Sequence, residues 1–222
     1  MVYRKTAKVE NQLADKRLRI LQAAQQLVVQ GGFKEAPIAG IARISGVATG
    51  TVYRHFQSKS HLLAEVVDVV SQRELDLVTA EAKTAGTAAE RLERVLRLFS
   101  NRALRGRRLA YALMAEPLEP EIDEIRLLYR RRLTKVYEAL IGSGIRAGEF
   151  PAQNIATSAA CLVGACYEAL VGPVLLDEGA SERKRQAVID GIVAFSLGGL
   201  GRPRPDPTSA VKRRRKREGR AD

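Results

Sequence analysis

The residues best suited to chemistry sit in one stretch of twenty. Residues 37–56 read PIAGIARISGVATGTVYRHF, and within them Thr49, Thr51, Tyr53 and His55 gather two hydroxyls, a phenol and an imidazole. Hydroxyls, phenols and imidazoles at helical spacing are well suited to hydrogen-bonding phosphate oxygens and base edges. Thr49 and Tyr53 are four apart and share one face of a helix, and Thr51 and His55 share an adjacent face. Val52 and Phe56 share the opposite, apolar face, which predicts a helix pinned from behind and wet in front.

Such a helix needs a brace. Pro37 can open a preceding helix, because its missing N–H falls where no intrahelical partner exists. Ile38, Ile41 and Ala42 give that helix a side to bury. Gly46 tolerates the positive φ of a tight turn between two helices. The result is a helix-turn-helix over residues 37–56, a shape whose second helix enters the DNA major groove while the first crosses the backbone. Ile20, Ala23, Ala24 and Leu27 recur at helical spacing and predict a helix from Asp15, its N-cap, to Val29, ended by Gly31-Gly32. Ser58 predicts the cap of another, from Lys59 to about Thr79.

The rest of the pattern is helical. Helices are expected at about 88–103, 107–115, 120–142 and 154–171, and from a cap at Ser181 to about Leu197, with no alternating stretch that reads as a strand. The expected fold class is all-α, with about nine helices. A basic disordered arm (1–14) precedes a three-helix head (15–60). A larger helical body (61–201) and a basic disordered tail (202–222) follow.

Charge agrees with a polyanionic partner. Of the formal +12, residues 1–20 hold +4 and residues 202–222 hold +6, leaving +2 for the 181 residues between. Attraction to phosphate supplies the sequence-independent part of DNA binding. The run Lys212-Arg213-Arg214-Arg215-Lys216-Arg217 reads either as a solvated tail or as a nonspecific DNA contact. Two cysteines, Cys161 and Cys166, point about 140° apart on a helix and cannot pair within it. No secretory signal pattern opens the sequence, so a cytoplasmic location is expected. The apolar stretch 155–176 holds Thr157, Ser158, Glu168 and Pro173, and reads as a buried or interface helix rather than a membrane span.

Gly46-Val47-Ala48-Thr49-Gly50-Thr51-Val52-Tyr53-Arg54-His55-Phe56, followed by Ser58-Lys59 and Leu62-Leu63, resembles the DNA-binding domain of TetR-family transcriptional repressors. The resemblance covers about residues 15–70 and beyond that is architectural. It implies a dimer that binds a palindromic double-stranded operator and releases it when a small-molecule effector enters the body. It further implies that Thr49, Gly50 and Thr51 meet base edges or phosphates, that Tyr53, His55 and Lys59 hold phosphates, and that Arg43 and Ser45 lie beside the backbone. Arg54 contacts phosphate or points to solvent. Two positions depart from the family pattern. Ala36-Pro37 stands where Thr or Ser usually caps the second helix, and Ala48 stands where Ser is frequent.

In the body, Ala160, Gly164, Glu168 and Gly172 recur at spacing four on the most apolar helix. With Val188, Ile189, Ile192 and Phe195 they predict a four-helix contact between two copies of the chain. Tyr111, Met114, Glu116, Tyr129, Cys161 and Tyr167 are the candidate lining of an effector pocket, though residues of these types are more often simple core. Glu116 and Glu168, acids in apolar surroundings, each need a partner. No pattern calls for a metal or cofactor. An enzyme lacks parts here: the only histidines, His55 and His61, lie in or just after the helix-turn-helix, and no phosphate-binding glycine loop or HExxH pair is present. An architectural or nonspecific DNA binder that uses its basic ends is the alternative.

Overall fold

A computed structural model describes residues 7–117, 120–176 and 179–201. The leucine- and alanine-rich spacing is realised, among these residues, as nine α-helices without strands. They are α1 (Ala7–Gly31), α2 (Ile38–Ser45), α3 (Thr49–His55), α4 (Lys59–Ala82), α5 (Ala88–Arg105), α6 (Arg107–Met114), α7 (Pro120–Arg146), α8 (Ile155–Leu176) and α9 (Glu182–Gly199).

Their apolar faces close over two cores. The head core joins Ile20, Ala24 and Val28 of α1, Ile41 of α2, Val52 and Phe56 around α3, and Leu62 to Val70 of α4. The body core joins Leu92 and Leu96 of α5, Tyr137 and Ile141 of α7, Leu162 and Leu170 of α8, and Ile189 of α9. Three helices belong to both, and one of them, α7, gives Ile122 to the head and Leu133, Tyr137 and Ile141 to the body. α4 gives its first half to the head and Val78 and Ala82 to the body, while α6 gives Ala112 to the head and Ala110 and Met114 to the body. The head core therefore reaches past residue 60, where the sequence pattern placed its end.

Local chemistry fixes the junctions. Thr87 and Glu90 form a reciprocal capping box at the start of α5, with Glu90 N–H donating to Thr87 Oγ1 at 3.1 Å and Thr87 N–H to Glu90 Oε2 at 3.0 Å. Glu149 accepts the next two N–H groups, from Ala88 at 3.0 Å and Ala89 at 2.9 Å. Gly144 lets α7 run under the Phe150 ring, since a Cβ there would overlap it.

Element ends differ from expectation at several points, three of which have a plain physical cause. α1 starts at Ala7, so the arm expected to be disordered through residue 14 is helical from residue 7, and Asp15 lies inside the helix rather than capping it. Residues 10–19 are almost all exposed, and strong helix formers such as Ala14 and Lys16 hold this end by propensity rather than burial. Pro37 is the N-cap of α2, with φ −70° and ψ 147°, one position earlier than expected. α8 continues through Pro173, because the carbonyl that loses its partner is that of exposed Ala169, where water can replace it. The expected basic tail, 202–222, and the first six residues of the arm lie outside the described residues.

Candidate nucleic-acid interface and body cavity

The helix-turn-helix is built on one positive φ. Gly46 caps α2 at φ 68° and ψ 35°, and Val47 N–H closes the turn on Ala42 O at 3.0 Å. A Cβ at Gly46 would touch nothing, so the requirement is conformational and not steric. Ala48 starts α3 without a side-chain cap, and Pro37 starts α2 the same way. The N-terminal amides of both helices thus lack a side-chain acceptor.

α3 is dry behind and wet in front, as its spacing predicts. Val52 and Phe56 are buried at 0% and 1% exposure. Thr49, Gly50, Tyr53 and Arg54 are exposed, as is Arg43 on α2, and Thr51, His55 and Lys59 are half-buried. All eight are at least partly open to solvent. Ser45 does not join them. It is buried, and its hydroxyl donates to Ile41 O at 2.7 Å and Ala42 O at 3.2 Å, so it serves the helix end and is withdrawn from any backbone contact.

A second layer holds this surface. Ser58 Oγ accepts from His61 N–H at 2.9 Å, and His61 Nδ1 accepts from Gln57 N–H at 3.3 Å, which sets the corner between α3 and α4. Arg17 of α1 lies over the Phe56 ring, 4.8 Å from its centroid, and donates to both oxygens of Glu65. With Lys16 it brings positive charge to the recognition helix. His55 titrates below its ordinary value of 6.5, first because of partial burial and then because Arg17, Arg54 and Lys16 repel its proton. Neither Lys16 nor Arg17 was among the residues expected at this surface. Only the basic count of the first twenty residues hinted at them.

The body holds a cavity of about 730 Å³ between α4, α5, α6, α7 and α8. Met114, Tyr129 and Tyr167 line it, with Leu75, Phe99 and Leu133 beside them. Tyr129 Oη donates to Asp68 Oδ1 at 2.9 Å, and burial together with that carboxylate pushes its phenol up to about 12. Three expected lining residues, Cys161, Tyr111 and Glu116, are elsewhere. Cys161 is exposed on α8. Tyr111 is half-buried against the body core, outside the cavity wall. Glu168 also departs from expectation, because it is exposed and so needs no buried partner.

Glu116 has a different task from the one expected. It is buried at 4% exposure, and its carboxylate accepts Phe33 N–H at 3.1 Å and Lys34 N–H at 3.3 Å. A body residue thereby caps the loop between α1 and α2 of the head. Gly32, at φ 82°, makes room, since a Cβ there would stand 2.9 Å from Glu116 Oε2. Arg126, also buried, donates to Glu116 O at 2.8 Å and to Ala112 O, and secures the end of α6.

α8 and α9 leave small residues outward. Ala160, Gly164 and Gly191 are exposed, and Phe195 is 63% exposed among them. Ile155–Pro173 is long and apolar enough to cross a membrane by length and composition, and 28% of it is buried.

A braced, wet recognition helix on a body that encloses a cavity defines a helix-turn-helix DNA-binding regulator. Residues 20–66 match the family model of bacterial regulatory proteins of the tetR family. That match makes residues 20–66 a TetR-type DNA-binding region. It is 24% identical over 140 residues to the fatty acid metabolism regulator protein of Bacillus subtilis, covering 60% of this chain and 70% of that protein. It is 36% identical over 72 residues to the transcriptional repressor KstR of Mycolicibacterium smegmatis, covering 32% and 35%. The crystal structure of FadR from Bacillus subtilis in complex with stearoyl-CoA superposes with a TM-score of 0.70 at 19% identity, covering 82% of this chain and 98% of that one.

Proposed function

We propose that the protein is a dimeric, cytoplasmic repressor that binds a palindromic operator and leaves it when a small, largely apolar effector fills the body cavity. The observation that carries this reading is the continuity of α4. One helix supplies Leu62 to Val70 to the head core and Ser71, Glu74, Leu75 and Val78 to the cavity wall. Anything that displaces the wall displaces the support of the recognition helix.

On DNA, Thr49, Gly50 and Thr51 meet base edges and phosphates at the start of α3. Tyr53, His55, Arg54, Arg43 and Lys59 hold phosphates on either side. The uncapped amides of α2 and α3 complement phosphate at two further points. Exposed small residues of α8 and α9 support pairing of two copies in a four-helix contact that covers Phe195. That pairing also accounts for the apolar exposed face of α8 without a membrane. The cavity volume lies in the usual range for small-molecule sites, about 300–1,000 Å³. The acyl-CoA held by the Bacillus subtilis structure supports an acyl compound as the effector class. A regulator rather than an enzyme fits a body whose one histidine, His61, is its first residue and is engaged at the corner between α3 and α4.

The test is retention of genomic fragments by the purified protein, followed by release with metabolite fractions. Enrichment of one or a few palindromic sites, and their release by an apolar metabolite, is the expected outcome. Retention without sequence preference, falling steeply with salt, would replace this reading with an architectural one.

A further inference from the structure

The cavity is not uniform along its length. Its inner wall is apolar and buried, with Val78, Ala110, Met114 and Leu133 between 1% and 8% exposed. Its outer rim carries charge. Arg102 and Arg105 of α5 are exposed there, with Glu74 of α4 facing them. The Arg102 guanidinium grips the Glu74 carboxylate with two parallel hydrogen bonds, from Nε and Nη2. This ion pair joins α4 to α5 at the mouth of an apolar chamber. The Arg102 side chain is 39% exposed and that of Glu74 24%. A pair so open to water contributes little to stability, so another anion can take its place at small cost. Arg105 beside it leaves the rim with a surplus of positive charge.

We propose that the cavity takes an elongated amphipathic molecule, an acyl chain ending in an anionic group, and that this anion takes Arg102 from Glu74 and so unties α4 from α5. The apolar chain occupies the space beside Met114 and Leu133, and the anion stays at the rim. A neutral molecule of the same length fills the chamber without breaking the tie. The inference rests on the reading of the cavity as the effector site, and adds the charge of the effector and the contact through which it acts. A second α4–α5 bridge, Glu81 to Arg94 at 2.7 Å, lies further along α4 and away from the rim. Release at Glu74 therefore loosens α4 from α5 on the side nearer the head, where Tyr129 and Arg132 still tie Asp68 and Gln72 to α7.

The test compares myristate, myristoyl-coenzyme A and 1-tetradecanol, below their aggregation concentrations, by calorimetry and by release of a labelled operator. The proteins are the full chain, Glu74→Gln and Arg102→Gln, each checked for fold by circular dichroism and thermal melting. The full chain should bind both anions about tenfold more tightly than the alcohol, equivalent to one charge-assisted contact. Glu74→Gln should bind the anions more tightly still, because the competing carboxylate is gone. Arg102→Gln should bind all three at the level of the alcohol. Both variants break the tie, so both should hold operator less well without ligand. A purely structural pair would shift the two variants alike and leave the preference for anions intact, which overturns the proposal. Equal binding of alcohol and anions by the full chain also overturns it, while leaving the effector cavity standing. If none of the three binds, the effector-site reading falls with it. The carboxylate and the coenzyme A ester differ in head-group size, so preference between them identifies which anion source fits.

Discussion

The DNA-facing surface and the body cavity are opposite kinds of site. The first is a set of exposed side chains laid over complete packing, with Val52 at 0% and Phe56 at 1% exposure directly behind Tyr53 at 51%. The second is packing left incomplete, a void of about 730 Å³ with five helices around it. In the head, stability and function point the same way, because a tighter core holds the recognition helix more firmly. In the body they oppose one another, because filling the void would stabilise the fold and remove the site. α4, α6, α7 and Glu116 join the two, so a change in the body reaches the head through shared helices and one carboxylate.

The largest break in that comparison should come from Phe56→Ala. Deleting a fully buried ring costs about 3–5 kcal/mol. Operator binding should vanish together with head folding, seen as a large fall in the urea midpoint. A near-normal midpoint would mean that α3 is not held from behind. Glu116→Gln comes next. An amide presents one acceptor and one donor to two N–H groups, so one buried donor loses its partner at about 1–3 kcal/mol. The loop at Phe33 and Lys34 should exchange its amide hydrogens faster, and effector should still bind the cavity but release operator poorly. Undiminished release would show that the shared helices carry the coupling without Glu116.

Tyr53→Ala tests the surface without its support. It should weaken operator binding about tenfold, the size of one hydrogen bond to a charged phosphate, and leave the melting temperature unchanged. Unchanged affinity in a mobility-shift titration would sink the proposed docking. Ala110→Leu reverses the sign for the body. It places a larger side chain in the chamber and should add about 0.5–2 kcal/mol of stability. Operator affinity should hold while effector response fades, and a loss of stability would mean that this part of the chamber cannot accept more volume.

The same contrast explains what the sequence disclosed. The head site was legible because its residues are contiguous and its rule is local: two alternating faces on one helix and a glycine at one turn. Ser45 escaped that rule because the family resemblance placed it beside the DNA backbone, whereas its hydroxyl satisfies carbonyls of its own helix. Arg17 was missed because it reaches α3 from another helix, through Phe56 and Glu65. The cavity was half legible. Aromatic residues on long helices suggested Tyr129 and Tyr167, but a void is defined by side chains that fail to meet, and no spacing in one helix records that. Glu116 was singled out correctly as an acid in need of a partner. Its partners proved to be two backbone amides more than eighty positions earlier in the chain.

The smallest expected effect is a proton at the boundary between the two regimes. His55 is half-buried, and partial burial, Arg17, Arg54 and Lys16 hold its value below 6.5 in the free protein. The unfolded chain binds that proton more readily, so as pH falls through about 6.5 the head loses a little stability. On DNA the sign reverses. A phosphate beside the imidazole favours its charged form, so the complex takes up a proton that the free protein does not hold. Operator affinity should therefore rise as pH falls below about 6.5, with a slope no steeper than one proton, or about tenfold per pH unit. His55→Gln should flatten that component of the profile, measured by fluorescence anisotropy at constant ionic strength. A wild-type profile that the substitution leaves unchanged would place His55 away from the phosphates and return it to a supporting role behind Tyr53.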